Sequence, residues 1–166
     1  MSAATLVVTV LGPDRKGIVQ DLARVIADAG GNWEESSLAR MAGRFAGMVK
    51  VTVPSDVAAD RVSTGLRALQ GLQVLVDRGA REQDLDLHVR LEITGTDRPG
   101  IVRDVTRVLV QRGANIVGFA TDYLETPMAG GLLFHASVDA RVPPEGMDAL
   151  REGLEGLQDD LQVDVG

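Results

Sequence analysis

Asp14, Arg15 and Gly17 stand in the run 12–18, G-P-D-R-K-G-I, and Asp97, Arg98 and Gly100 stand in the same order in the run 95–101, G-T-D-R-P-G-I. Each run leads into a stretch with helical apolar spacing. A carboxylate, a guanidinium and a glycine ahead of a helix start can meet polar or charged groups. Asp14 or Asp97 can accept from a cationic group. The helix start would offer unpaired N–H groups and the positive end of its dipole to a carboxylate. Gly17 and Gly100 allow close approach to the backbone next to Ile18 and Ile101, with no Cβ in the way. Asn32 and Asn115 follow, each with an amide that both donates and accepts. Simpler roles fit the same residue types. An Asp shortly before a helix is an ordinary cap, and an Asn after a helix-ending Gly is an ordinary turn former. Arg15 and Arg98 equally suit a surface or an interface.

Little in the sequence speaks for catalysis, and no catalytic residue is expected. There is no Cys, which excludes a thiolate metal site and a Cys nucleophile. No G-x-S-x-G, Walker or G-x-G-x-x-G motif occurs. His88 and His135 both fall on the polar phase of strand patterns and read as surface histidines. No metal or cofactor is expected.

The two turns belong to a repeat. A shift of 83 superposes residues 12–32 on 95–115 without a gap, and eleven of the twenty-one positions are identical. Self-similarity of this kind sets the architecture: two copies of one unit. Residues 6–11 read as a first strand, apolar on nearly both faces, with Leu6, Val8 and Val10 on one and Val7, Thr9 and Leu11 on the other. That second face calls either for a cover, such as another sheet or a subunit, or for tolerated surface valines. In the second copy Leu87, Val89, Leu91 and Ile93 alternate with His88, Arg90, Glu92 and Thr94, as in a half-buried strand.

Ile18, Val19, Leu22, Val25, Ile26 and Ala29 recur at helical spacing, as do Ile101, Val102, Val105, Val108 and Leu109. Pro99 suits the first turn of its helix, and Gly30 and Gly113 suit helix ends. Asp21 with Arg24, and Asp104 with Arg107, read as surface pairs. A hairpin follows over 33–53, turning at Ala42, Gly43 and Arg44. A longer one spans 117–140, with 124–131 as its loop. The six extra residues there account for a shift of 89 at Pro54 and Pro143. A second helix (Val57, Val62, Leu66, Leu69; Met147, Leu150, Leu154, Leu157) and a short strand (72–76; 161–165) close each copy.

The fold class is therefore α+β: two tandem ferredoxin-like βαββαβ domains, each an antiparallel sheet with two helices on one face. The expected boundaries are 1–79, a linker at 80–85, and 86–166. So short a linker should hold the units close. About 80 residues each suffices for a small core. Net charge is −7, which disfavours direct binding to a phosphate backbone. The N-terminal residues lack a basic segment and run straight into a strand pattern, so no signal peptide is expected. No apolar run approaches a membrane span, and the expected location is the cytoplasm.

The paired turn motif, G-x-D-R-x-G-I with a helix ending in Gly and an Asn opening the next strand, resembles the ACT domain family of regulatory modules. The resemblance covers nearly the whole chain. It implies binding of a free amino acid between paired modules, with the strand–helix turn of one facing the start of the second strand of its neighbour. Residue by residue, it carries over to Asp14, Arg15, Gly17, Ile18 and Asn32, and to Asp97, Arg98, Gly100, Ile101 and Asn115. Relatives that bind amino acids often have Asn at the Asp position and Pro before the Gly. The second copy keeps Pro99. The first has Lys16 there, and Gly31 in place of Ala114, so its turn is expected to be less rigid.

Two such modules are similar to the glycine cleavage system transcriptional repressor family. That implies a non-enzymatic sensor of a small amino acid such as glycine or serine, acting on transcription through a protein partner. A regulatory subunit attached in trans to an enzyme of amino-acid metabolism is an alternative. So is a structural pairing module without ligand. An exposed sheet edge further implies a homodimer.

Overall fold

The computed structural model describes residues 3–80, 86–125, 132–157 and 161–166. Most of the expected linker, the loop segment 126–131 and the acidic pair Asp159-Asp160 lie outside the described residues. The chain divides into two compact units, Met1–Glu82 and Gln83–Gly166.

In the first unit the elements are β1 (Ala4–Pro13), α1 (Ile18–Asp28), β2 (Asn32–Met41), β3 (Arg44–Val53), α2 (Asp56–Arg67) and β4 (Gln73–Arg78). The sheet order is β2-β3-β1-β4, with every pairing antiparallel. Leu6, Val8 and Val10 of β1 point to one face. They are buried with Val49, Val51 and Val53 of β3, with Ile18, Leu22 and Ile26 of α1, and with Val62 and Leu66 of α2. Period two in the strands and 3.6 in the helices thus meet in one core. Both helices lie on one face of the sheet, as the sequence predicts.

The second unit repeats this with β5 (Leu87–Thr96), α3 (Ile101–Gln111), β6 (Asn115–Glu125), β7 (Leu132–Val142), α4 (Met147–Glu155) and β8 (Leu161–Val165). A short 3-10 turn at Pro144–Gly146 precedes α4. The sheet order is β6-β7-β5-β8. Its core holds Leu91, Ile93, Ile101, Val105, Leu109, Val138, Leu150 and Leu154. Even the irregularities repeat. The register slips between Trp33 and Glu35 in β2 and between Ile116 and Gly118 in β6, the same place 83 residues apart.

Several local readings change. Pro99 precedes the residue that caps α3, which is Gly100, so it lies just outside the helix. Val19, Val102 and Val57 are exposed, not part of the buried stripes; Ala58 and Ala59 take up the α2 core positions instead. Leu124 and Glu125 belong to β6, not to the loop. Ser55, unremarked in the sequence, caps α2 by accepting a 3.2 Å bond from the Ala58 N–H. No helix among the described residues is long and apolar enough to cross a membrane.

Candidate functional site

β1 and β5 each end in the tight turn, and the helix that follows begins on a glycine. Gly17 has φ 85° and Gly100 φ 87°, a left-handed conformation that costs a residue with a Cβ about 1–2 kcal/mol. Neither helix start receives a side-chain cap. Asp14 and Asp97 therefore are not caps, and the ordinary reading of these carboxylates fails. What remains at each start is a short row of backbone N–H groups at the positive end of the helix dipole, except that in the second copy the Ile101 N–H donates to the Arg98 carbonyl at 3.3 Å and the Arg103 guanidinium lies beside Gly100. Ile18 and Ile101 open the helices and are buried beneath these rows, anchoring them to the core.

The two arginines serve the same purpose in both copies. Arg15 Nη2 donates to Asp21 Oδ2 at 2.8 Å, and Arg98 Nη1 donates to Asp104 Oδ2 at 2.8 Å. Each bond spans the cap and ties the turn to the first helical turn. Asp21 is thus paired with Arg15, not with Arg24, which instead lies 3.9 Å from Asp28. Asp104 also accepts from Arg103 at 3.1 Å, with Arg107 at 3.7 Å. Arg98 first, then Arg103, hold the Asp104 carboxyl below the usual carboxylate range.

The carboxylates of the motif differ between copies. Asp14 is engaged: its N–H donates to the Gly43 carbonyl at 2.9 Å, and its Oδ2 lies 3.3 Å from Arg40 Nε at the end of β2. Asp97 is exposed and makes no ion pair among the described residues. Arg15 Nη1 additionally donates to the Lys16 carbonyl at 3.2 Å, the position where the second copy has Pro99. The second turn thus offers its carboxylate to solvent, while the first has partly spent its own on Arg40.

Asn32 and Asn115 are exposed and are the first residues of β2 and β6. Within its unit, each lies at the opposite end of the first helix from the glycine turn. Asn32 is level with Thr52, which pairs Thr5 near the start of β1, whereas the turn follows Pro13 at its end. Eleven helical residues separate the two by about 16 Å at 1.5 Å per residue. One unit therefore brings Asp, Arg, Gly and Ile together but leaves its Asn far from them.

The histidines are accounted for by the sheet face opposite the helices. His135 Nδ1 lies 2.7 Å from Asp122 Oδ1, and Nε2 lies 2.9 Å from Glu92 Oε2, whose other oxygen accepts from Ser137 at 2.9 Å. His135 thereby bridges β6, β7 and β5. Asp122 above all, then Glu92, raise its pKa. His88 lies 3.3 Å from Asp139, which Arg90 also grips at 2.9 Å. Among the described residues no group of three or more potential ligands could hold a metal ion. Sequence reasoning placed Asp21 and Asp104 in surface pairs within their helices and missed their bonds to Arg15 and Arg98; it missed Arg40 altogether. The first two carried a signal, since both are identical in the repeat; Arg40 carried none.

Two ACT domain family models match the chain, one over residues 4–90 and one over residues 89–152. Among solved structures, an unknown protein from Galdieria sulphuraria is 30% identical, with a TM-score of 0.77 over 99% of this chain and 98% of that one. A provisionally assigned glycine cleavage system transcriptional repressor is 23% identical, with a TM-score of 0.68 over 100% and 98%; at that identity the likeness is one of fold. No curated protein matches the sequence significantly.

Proposed function

The chain belongs to the ACT domain family, with two such domains in tandem, and we propose that it is a non-catalytic regulatory protein that senses a small amino acid. The observation that carries this reading is the repeated helix start. In both copies a left-handed glycine precedes a first turn with no side-chain cap, and an Arg–Asp bond braces the turn. A ligand carboxylate would take the backbone N–H groups. The ammonium group would take Asp97 in the second copy, the better candidate because Asp14 is already engaged. A companion ACT module, paired antiparallel along the β2-type edge, would bring its Asn to the turn that its own unit leaves distant. Glycine or serine as the amino acid is supported by likeness in fold to a glycine cleavage repressor.

The signal would pass to a protein partner. A net charge of −7 favours contact with a protein over direct contact with DNA. Likeness in fold to a glycine cleavage repressor supports a transcriptional regulator as that partner; the exposed sheet edge favours a homodimer, and a sequence without Cys suits a reducing cytoplasm. The ligand can act only if the free and partner-bound forms bind it unequally. Affinity capture on the immobilised chain, with and without about 10 mM glycine or serine (roughly a hundredfold above a site with a Kd of about 100 μM), tests this. Recovery of a transcription factor that the amino acid releases or retains supports the reading. Recovery of a metabolic enzyme instead transfers the same sensor to an enzyme in trans, and recovery unaffected by any amino acid contradicts it.

A further inference from the structure

The sheet of the first unit has a second face, turned away from its helices, that is apolar at its middle. Leu11, Met48 and Leu75 are 39%, 54% and 65% exposed there. The register orders this face in rows. Thr9 lies between Met48 on β3 and Leu75 on β4; Val7 lies between Lys50 on β3 and Asp77 on β4. An apolar residue thus stands on each side of Thr9, and a cation and an anion stand on opposite sides of Val7.

This arrangement is self-complementary under one operation. A two-fold axis along β1, between two stacked copies of the sheet, lays β3 of one copy over β4 of the other. Met48 then meets Leu75 of the second copy, and Lys50 meets Asp77 of the second copy, each contact occurring twice. Val7 and Leu11 meet their own counterparts. Face-to-face stacking of sheets with strands about 30° apart is a stable packing in its own right. Lys50 also lies 3.5 Å from Glu34 of its own chain, so it is held over the same face.

The duplication supplies the comparison. At the equivalent places the second unit has Arg90 and Glu92 for Val7 and Thr9, and Ser137, Asp139 and Asp164 for Met48, Lys50 and Leu75. The same operation would set Glu92 on Glu92 and Arg90 on Arg90. That face instead satisfies itself, through Arg90 with Asp139 and His135 with Glu92. One fold thus carries one face built for a like partner and one built for water.

We infer that the helix-free sheet face of the first unit is the homodimer interface, with Lys50 paired to Asp77 of a second copy across it. The inference rests on the homodimer of the reading above and is independent of any ligand. Sedimentation equilibrium of the full chain tests it, with circular dichroism to confirm that each variant is folded. The wild type is expected to be a dimer. Met48→Glu and Leu75→Glu should each weaken it at least about tenfold, as like charges or desolvated carboxylates do in an interface. Gln162→Glu, on the second unit's sheet face, should leave it unchanged. Lys50→Asp and Asp77→Lys should each weaken the dimer, and together restore it to within about threefold of wild type, because the pair couples across the interface. A dimer indifferent to Met48→Glu and Leu75→Glu, or a double reversal weaker than either single one, overturns this interface while leaving a homodimer in place. A wild-type monomer overturns both, and leaves amino-acid sensing standing.

Discussion

Arg98 and Asp104 are joined at 2.8 Å across the start of α3, and the same bond joins the corresponding pair 83 residues earlier. The pair encloses Gly100 and fixes where the first helical turn lies relative to the strand before it. Because the Asp104 carboxyl is held low by Arg98 and then Arg103, the sign of its pH dependence follows. A depressed folded pKa gives stability that is present above the unfolded value, about 3.9, and that is lost as pH falls through the folded one. Thermal unfolding from pH 7 down to pH 2.5 should show Asp104→Asn less stable than wild type at neutral pH, with the gap closing in acid. A gap constant across that range would mean that the bond contributes nothing through its charge.

His135 should behave in the opposite sense. Asp122 and Glu92 face it from neighbouring strands and raise its pKa. The stability it contributes is fully present below its unfolded value, near 6.5, and disappears as pH rises through the folded one. His135→Gln should therefore be destabilised against wild type at pH 5.5 and nearly match it at pH 9. An NMR titration of the ring should report a midpoint above that of an exposed histidine; a midpoint at or below it would show that the two carboxylates do not hold the proton.

Two substitutions of backbone preference should act with opposite signs. Gly17→Ala places a Cβ in open space but at φ 85°, so it should cost about 1 kcal/mol with no packing change, and Gly17→Asn less. Ala42, at φ 48°, is the one non-glycine residue with positive φ among the described residues. It shares with Gly43 a two-residue hairpin turn of the kind that favours Asn-Gly. Ala42→Asn should stabilise the first unit by several tenths to about 1 kcal/mol. Chemical denaturation curves with unchanged slope would confirm both; a neutral Gly17→Ala would mean that the turn relaxes.

The exposure of the apolar helix residues sets a third contrast. Leu22→Ala removes a side chain buried to 0% exposure and should cost about 2–5 kcal/mol. Val57→Ala, at a position 60% exposed, should stay within about 0.5 kcal/mol. Equal losses at the two sites would place Val57 in an interface.

The element order was legible because the repeat aligns strand with strand and turn with turn, and because Leu87, Val89, Leu91 and Ile93 keep strict alternation. Helix faces were less so. Val19 and Val102 adjoin buried isoleucines in the sequence, and two neighbours about 100° apart on a helix both fit an apolar stripe. Only packing against the sheet decides which is covered. Pro99 suited the first helical position by local preference, but the left-handed Gly100 took the cap and pushed the proline outside. Arg15–Asp21 escaped notice because its six-residue separation crosses that cap, beyond the three- and four-residue spacings that pair side chains within a helix. Gly17 and Asn32 stand fifteen positions apart, yet the helix between them holds them at opposite ends of the unit. Composition cannot show that; the topology does.

The central claim, that these uncapped helix starts take up a free amino acid, is tested most directly by titration calorimetry of the full chain against each of the twenty common amino acids. The account predicts saturable heat with a small one, glycine or serine, lost in Asp97→Ala while the variant remains folded, and lost in whichever of Asn32→Ala and Asn115→Ala changes the companion module. Heat from none of the twenty, or binding undiminished in Asp97→Ala, would contradict it.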